Sequence, residues 1–178
     1  MIVAVLCTGP SLTQADVDHC RERCDKIVAV SDAIFMAPWA DAMVAYDKAW
    51  WLAHREVKFK GPKYMSHPEK VRGLDDVELV NPGGGHSGTL GIIIAAREFS
   101  PDKIILLGAD LKGTHFFGPH TDPNLRHTSK MRFKAMRQQF SAFRRLPIVN
   151  CSPDSELDCF RKADLRMELA DLSQRAAV

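Results

Sequence analysis

The sequence predicts a single α/β domain of Rossmann-like type, a mainly parallel sheet with helices on both faces. Three features carry that expectation: short runs that are apolar throughout, helical stretches alternating with them, and Gly-rich turns where a strand passes into a helix. The chain has 178 residues, which fits one domain able to bury a core without disulfide or metal staples. No repeat, linker or low-complexity tract divides it, so residues 1–178 are read as one domain.

Residues 2–7 (IVAVLC) form an unbroken apolar run, as a strand buried on both faces would. A helix is expected from Gln14 to Cys24, with Thr13 as its N-cap and Asp16 three residues on. KIVAVS (26–31) and DAMVAY (41–46) read as the second and third strands, followed by a helix over 48–56 carrying Trp50 and Trp51. Short strands are expected at 63–66 and 77–80. The stretch PGGGHSG (82–88) opens a helix running to about Phe99. KIILL (103–107) is a clear later strand, closed by GAD at 108–110. A loop over 111–127, a helix at 128–144, a strand at 147–150 and a helix at 160–172 complete the chain.

Composition narrows the environment. The net charge is only +2, but its distribution is uneven. Between Asp110 and Asp154 the only acid is Asp122, against eight Lys and Arg. The five cysteines are odd in number and irregularly spaced, with no CxxC pair, so they read as reduced thiols. The N-terminus has no basic leader, and the longest apolar stretch, at 91–96, is too short for a bilayer. A cytoplasmic protein without a membrane partner is expected.

In parallel sheets ligands bind beyond the carboxyl ends of the strands. The residues there are Thr8–Ser11, Ser31–Asp32, Asp47, Gly83–Gly88, Gly108–Asp110 and Asn150–Ser152, largely Gly, Ser, Asp and Asn. In TGPSL, Thr8, Gly9, Pro10 and Ser11 sit between a strand and a helix start, where free amides would meet a phosphate or ribose; the alternative is a plain connecting turn. GGGHSG is the stronger signal. Gly84, Gly85, His86, Ser87 and Gly88 at a helix N-terminus would make an anion nest, with His86 orienting phosphate. Ser31 closes the second strand beside them.

Asp47 and Asp110 end strands and would bind ribose hydroxyls or a divalent cation, unless they serve only as caps. Of Trp50 and Trp51, one belongs in the core and the other is a candidate pocket wall. The long loop LKGTHFFGPHTDPNLRH has the length of a lid or active-site element. Its His115 and His120 are candidate general bases; with Asp122 and His127 they offer no trusted zinc spacing, and no metal site is expected. The next helix has an apolar face at Phe133, Met136, Phe140 and Phe143. Arg126, Lys130, Lys134, Arg137 and Arg144 line another face, either solvated or open to nucleic acid along 126–145.

GPSL after the first strand, the acid after DAMVAY, the SG-led helix and LLGAD together resemble the bacterial sialyltransferases and the archaeal-type hydroxymethylpterin pyrophosphokinase-like domains. HFFGPH at 115–120 and the late Asn150–Ser152 segment extend the resemblance to small phage-encoded proteins labelled norphogenetic protein. The sialyltransferase resemblance implies a nucleotide-sugar donor held by Gly9, Ser11 and Ser87–Gly88, with a histidine base. Thr8 stands where those enzymes carry Asn, and their acceptor-binding lid is missing. The expected activity is a nucleotide-dependent, glycosyltransferase-like transfer by a phage-encoded protein. A non-catalytic nucleotide-sequestering module and a metal-dependent pyrophosphokinase are the alternatives.

Overall fold

The computed structural model describes residues 1–66, 71–81, 85–125 and 128–170. Gly83, Gly84, Arg126 and His127, all singled out by the sequence, lie outside the described residues. The strands are β1 (Ile2–Leu6), β2 (Lys26–Val30), β3 (Ala42–Ala45), β4 (Lys63–Met65), β5 (Val77–Leu79), β6 (Lys103–Leu107), β7 (Ile148–Asn150) and β8 (Arg161–Lys162). They form one sheet in the order β5-β4-β3-β2-β1-β6-β7-β8, and every pairing is parallel. The α/β, Rossmann-like architecture is therefore as expected.

Alternation along each strand divides the core in two. Ala4 and Leu6 of β1 face Val17 and Cys20 of α1 (Gln14–Arg23), Trp51 of α2 (Lys48–Ala53) and Leu165 of α5 (Leu165–Ala170). Val3 and Val5 face the other way, toward Leu90 and Ile94 of α3 (Ser87–Phe99) and Phe140 of α4 (Lys130–Ser141). Both faces are covered, which is why these strands read as unbroken apolar runs. In α3 the backbone lies directly on the sheet. A Cβ at Gly91 would stand 2.8 Å from Val5 and 2.9 Å from Val30.

Strand order places the site. The chain leaves β1 for β2 on one side and returns through α3 to β6 on the other, so β1 and β6 flank the topological switch point. Two segments differ from expectation. The helix expected from 160 is preceded by β8, an exposed, charged two-residue edge strand paired with β7. Its helix begins only at Leu165, where the Asp164 carboxylate accepts from the Met167 amide. After β2 the chain makes a 3₁₀ turn over Ser31–Phe35, entered with Ser31 in the left-handed region (φ 49°).

All five cysteines are free thiols. Among the described residues no helix is long and apolar enough to cross a membrane.

Candidate functional site

A cavity of about 480 Å³ opens at the carboxyl ends of β1, β2, β3 and β6. Its volume lies in the range of small-molecule pockets. Thr8, Gly9, Ser31, Asp47, His86, Ser87, Gly88, Asp110, His115 and His120 all line it, so most of the residues expected to form a site do share one space. Pro10, Ser11 and Gly85 do not line it, and each has a structural explanation or an exposed position instead.

The first loop is closed on itself rather than open to a phosphate. Ser11 donates from its amide (3.2 Å) and its hydroxyl (2.9 Å) to Asp110 Oδ2, and the Gly9 amide donates to the Gly108 carbonyl at 2.7 Å. The N-terminus of α1 is satisfied by its own residues. Thr13 Oγ1 accepts from the Asp16 amide, and the Thr13 hydroxyl donates to the Asp16 carboxylate. An acid already faces the positive helix end, where a phosphate would otherwise be favoured. Gly9 is required because a Cβ there would lie 2.0 Å from Asp110 Oδ2. Asp110 is thus buried and committed to the loop. Burial, then this carboxylate, pushes the Cys7 thiol up to about 12, so Cys7 lines the cavity as a neutral thiol.

The start of α3 is also partly self-capped. The His86 amide donates to Thr89 Oγ1 (2.9 Å), and His86 Nδ1 accepts from the Gly88 amide (3.1 Å). Gly85 serves that cap: its φ is 141°, and a Cβ would meet Thr89 Oγ1 at 2.5 Å. Ser87 Oγ accepts from the Tyr46 amide at 3.0 Å, which fastens α3 to the end of β3. An accepting hydroxyl still has its own hydrogen to give.

With Nδ1 accepting, the neutral His86 ring carries its hydrogen on Nε2, which is buried beside the Met136 backbone. Burial, and then the Arg132 guanidinium, hold this imidazole down at about 4. His86 is therefore a neutral cap at physiological pH, not a cationic phosphate ligand. Because its ordinary value is 6.5 and the folded value is lower, its neutral burial is fully favourable above pH 6.5. That contribution is lost as pH falls toward 4. Urea unfolding should show a loss of roughly 3 kcal/mol between pH 7 and pH 4 from this group. His86→Asn, which keeps a capping acceptor, should have a shallower pH slope; an unchanged slope would refute the assignment.

Asp32 is a residue whose weight the sequence did not reveal. It directly follows the left-handed Ser31, is 8% exposed, and lines the cavity. Trp50 Nε1 donates to its Oδ2 at 2.8 Å, while His54 Nε2 stands 3.6 Å from Oδ1. The His54 ring stacks on Trp50, with centroids 4.4 Å apart, and its Nδ1 meets the Trp50 carbonyl at 2.9 Å. Trp50 is thus the pocket-wall tryptophan and Trp51 the core one, its Nε1 donating to the Ala45 carbonyl. Asp47 is exposed on the rim, at the N-cap position of α2 but making no side-chain cap hydrogen bond.

The loop after β6 supplies the opposite wall. Left-handed backbone at Gly108, Leu111 and Gly113 turns it back over the sheet edge, and Phe116 donates its amide to the Thr8 carbonyl at 3.0 Å. A turn closed by the Gly118 amide on the His115 carbonyl brings His115 and His120 together, with ring centroids 4.4 Å apart. Phe117 stacks on His115 at 4.9 Å. His120, Asp32 and Leu125 also line an adjoining hollow of about 330 Å³, with His54 and Asp122.

Phe133 and Met136 of α4 line the cavity, and Phe140 is buried beneath them. The basic face is divided in use. Arg137 pairs with Glu156 at 2.5 Å, Lys130 and Lys134 are exposed, and Arg132 lines the cavity. Lys112 and Arg132 are the Lys and Arg side chains on the cavity among the described residues. Among those residues no group of three or more His, Cys, Asp or Glu is arranged to hold a metal ion. No protein-family model matches the chain, and comparison with curated proteins and solved structures returns no significant match.

Proposed function

We propose that the protein is a nucleotide-dependent transferase of glycosyltransferase type. The observation that carries this reading is the composition of that cavity. A histidine pair, acids at Asp32 and Asp47, cations at Lys112 and Arg132, and the Ser87–Gly88 helix start all line it at the carboxyl edge of a parallel sheet. In this reading the phosphate end of the donor lies toward α3 and Arg132, since α1 has its own acid.

His120, which faces both the cavity and the adjoining hollow, takes the proton of an acceptor hydroxyl. The acceptor oxygen then bonds to the donor's anomeric carbon. The carbon–oxygen bond to phosphate breaks, and the nucleotide leaves with the electron pair. The resemblance to sialyltransferases supports the same class. A pyrophosphokinase reading is less favoured, because Asp110 is engaged through Oδ2 by Ser11 and, among the described residues, no group of three or more His, Cys, Asp or Glu is arranged to hold a metal ion.

Thermal-shift and calorimetric screening of nucleoside mono- and diphosphates and nucleotide sugars, with and without magnesium, tests this reading. A nucleotide should raise the melting temperature without needing magnesium, and a nucleotide sugar should be hydrolysed slowly. Tight nucleotide binding with no turnover of any donor would replace the transferase by a sequestering module. A strict magnesium requirement would favour the pyrophosphokinase.

A further inference from the structure

We propose that Asp32 reads the ribose of the bound nucleotide by accepting hydrogen bonds from its 2′- and 3′-hydroxyls; this rests on the nucleotide reading above. The position is the first argument. Asp32 lies two residues beyond β2, which pairs with β1, so it stands beside Thr8 and Gly9 at the sheet edge. In doubly wound sheets ligands bind beyond the carboxyl ends of the strands, which is where Asp32 stands.

The chemistry is the second argument. An ionised carboxylate has about four acceptor positions, and Trp50 Nε1 occupies one at 2.8 Å. His54 lies at 3.6 Å, beyond a good hydrogen bond. A carboxylate this deeply buried is costly unless further donors reach it, and a vicinal diol offers two at once. Trp50 and the stacked His54 also hold the carboxylate in one orientation, so little freedom is lost on binding. The competing acids are less suited. Asp110 already accepts twice from Ser11, and Asp47 is exposed on the rim.

The test is calorimetry on the full chain with AMP, GMP, CMP and UMP, each beside its 2′-deoxy and 3′-deoxy analogue. The preferred ribonucleotide should bind roughly 10- to 100-fold more tightly than its deoxy analogues, as expected for hydrogen bonds to a charged group. In Asp32→Asn that ratio should collapse toward one. The melting temperature should stay near the parent's, because asparagine still accepts from Trp50. Equal affinity of the parent for ribo- and deoxynucleotides would overturn the proposal, as would an unchanged ratio in Asp32→Asn. If the variant fails to fold, the parent's analogue series still decides. Failure of every nucleotide to bind would instead overturn the nucleotide reading itself, and this inference with it.

Discussion

Gly9→Ala is expected to destabilise the protein by on the order of 3 kcal/mol, and not merely to obstruct a ligand. The added methyl carbon would occupy a point 2.0 Å from Asp110 Oδ2 and 2.4 Å from the Gly108 carbonyl oxygen. Backbone cannot move aside as a flexible side chain can. Either the β1 turn shifts, or Asp110 turns away and leaves the two Ser11 donors and a buried carboxylate without each other. Chemical denaturation should show the loss in the transition midpoint. A variant as stable as the parent would mean that the Ser11–Asp110 clasp does not hold this turn. Gly9 therefore cannot serve as a clean probe of ligand approach.

His120→Ala should slow donor hydrolysis or transfer by about 10²–10⁴-fold, the usual contribution of a positioned general base. The dissociation constant for nucleotide should stay within a few-fold of the parent's, because the proton moves only as the bond forms. His115→Ala should act in the same direction and more weakly. Its ring braces His120 at 4.4 Å and lies flat on Phe117, so its removal loosens the base without deleting it. Single-turnover rates measured beside calorimetric affinities separate the two effects. Turnover unchanged in both variants would end the histidine mechanism.

The difference between these two sites shows what the sequence could and could not convey. IVAVL, KIVAV and KIILL announce strands because both faces of the sheet are covered, so every position after the leading Lys26 and Lys103 is apolar. β8 gives no such signal. It is two charged residues on an edge, and its pairing with Val149 and Asn150 is a tertiary fact. Thr8, Ser31, Asp47 and Ser87 were readable as cavity residues because each follows a strand or opens a helix at the carboxyl edge.

How each acid at the cavity is engaged was not readable. It depends on Asp110 turning to Ser11 and on Trp50 reaching back to Asp32, contacts spanning 99 and 18 residues. His86 looked like part of an anion nest, yet its imidazole closes the helix it precedes. Arg132 was hidden by periodicity. It is set apart from the face formed by Lys130, Lys134 and Arg137, and only the packing of α4 brings it to the cavity.

The most direct test of the central claim is a nucleotide titration followed through the imidazole resonances in heteronuclear NMR. His86, His115 and His120 line the cavity, whereas His19 lies on α1 outside it. With nucleoside mono- and diphosphates as probes, the resonances of His115, His120 and His86 should shift together in a saturable way while His19 stays in place. Saturable shifts confined to His19, or none from any histidine at millimolar nucleotide, would contradict a nucleotide site at this edge of the sheet.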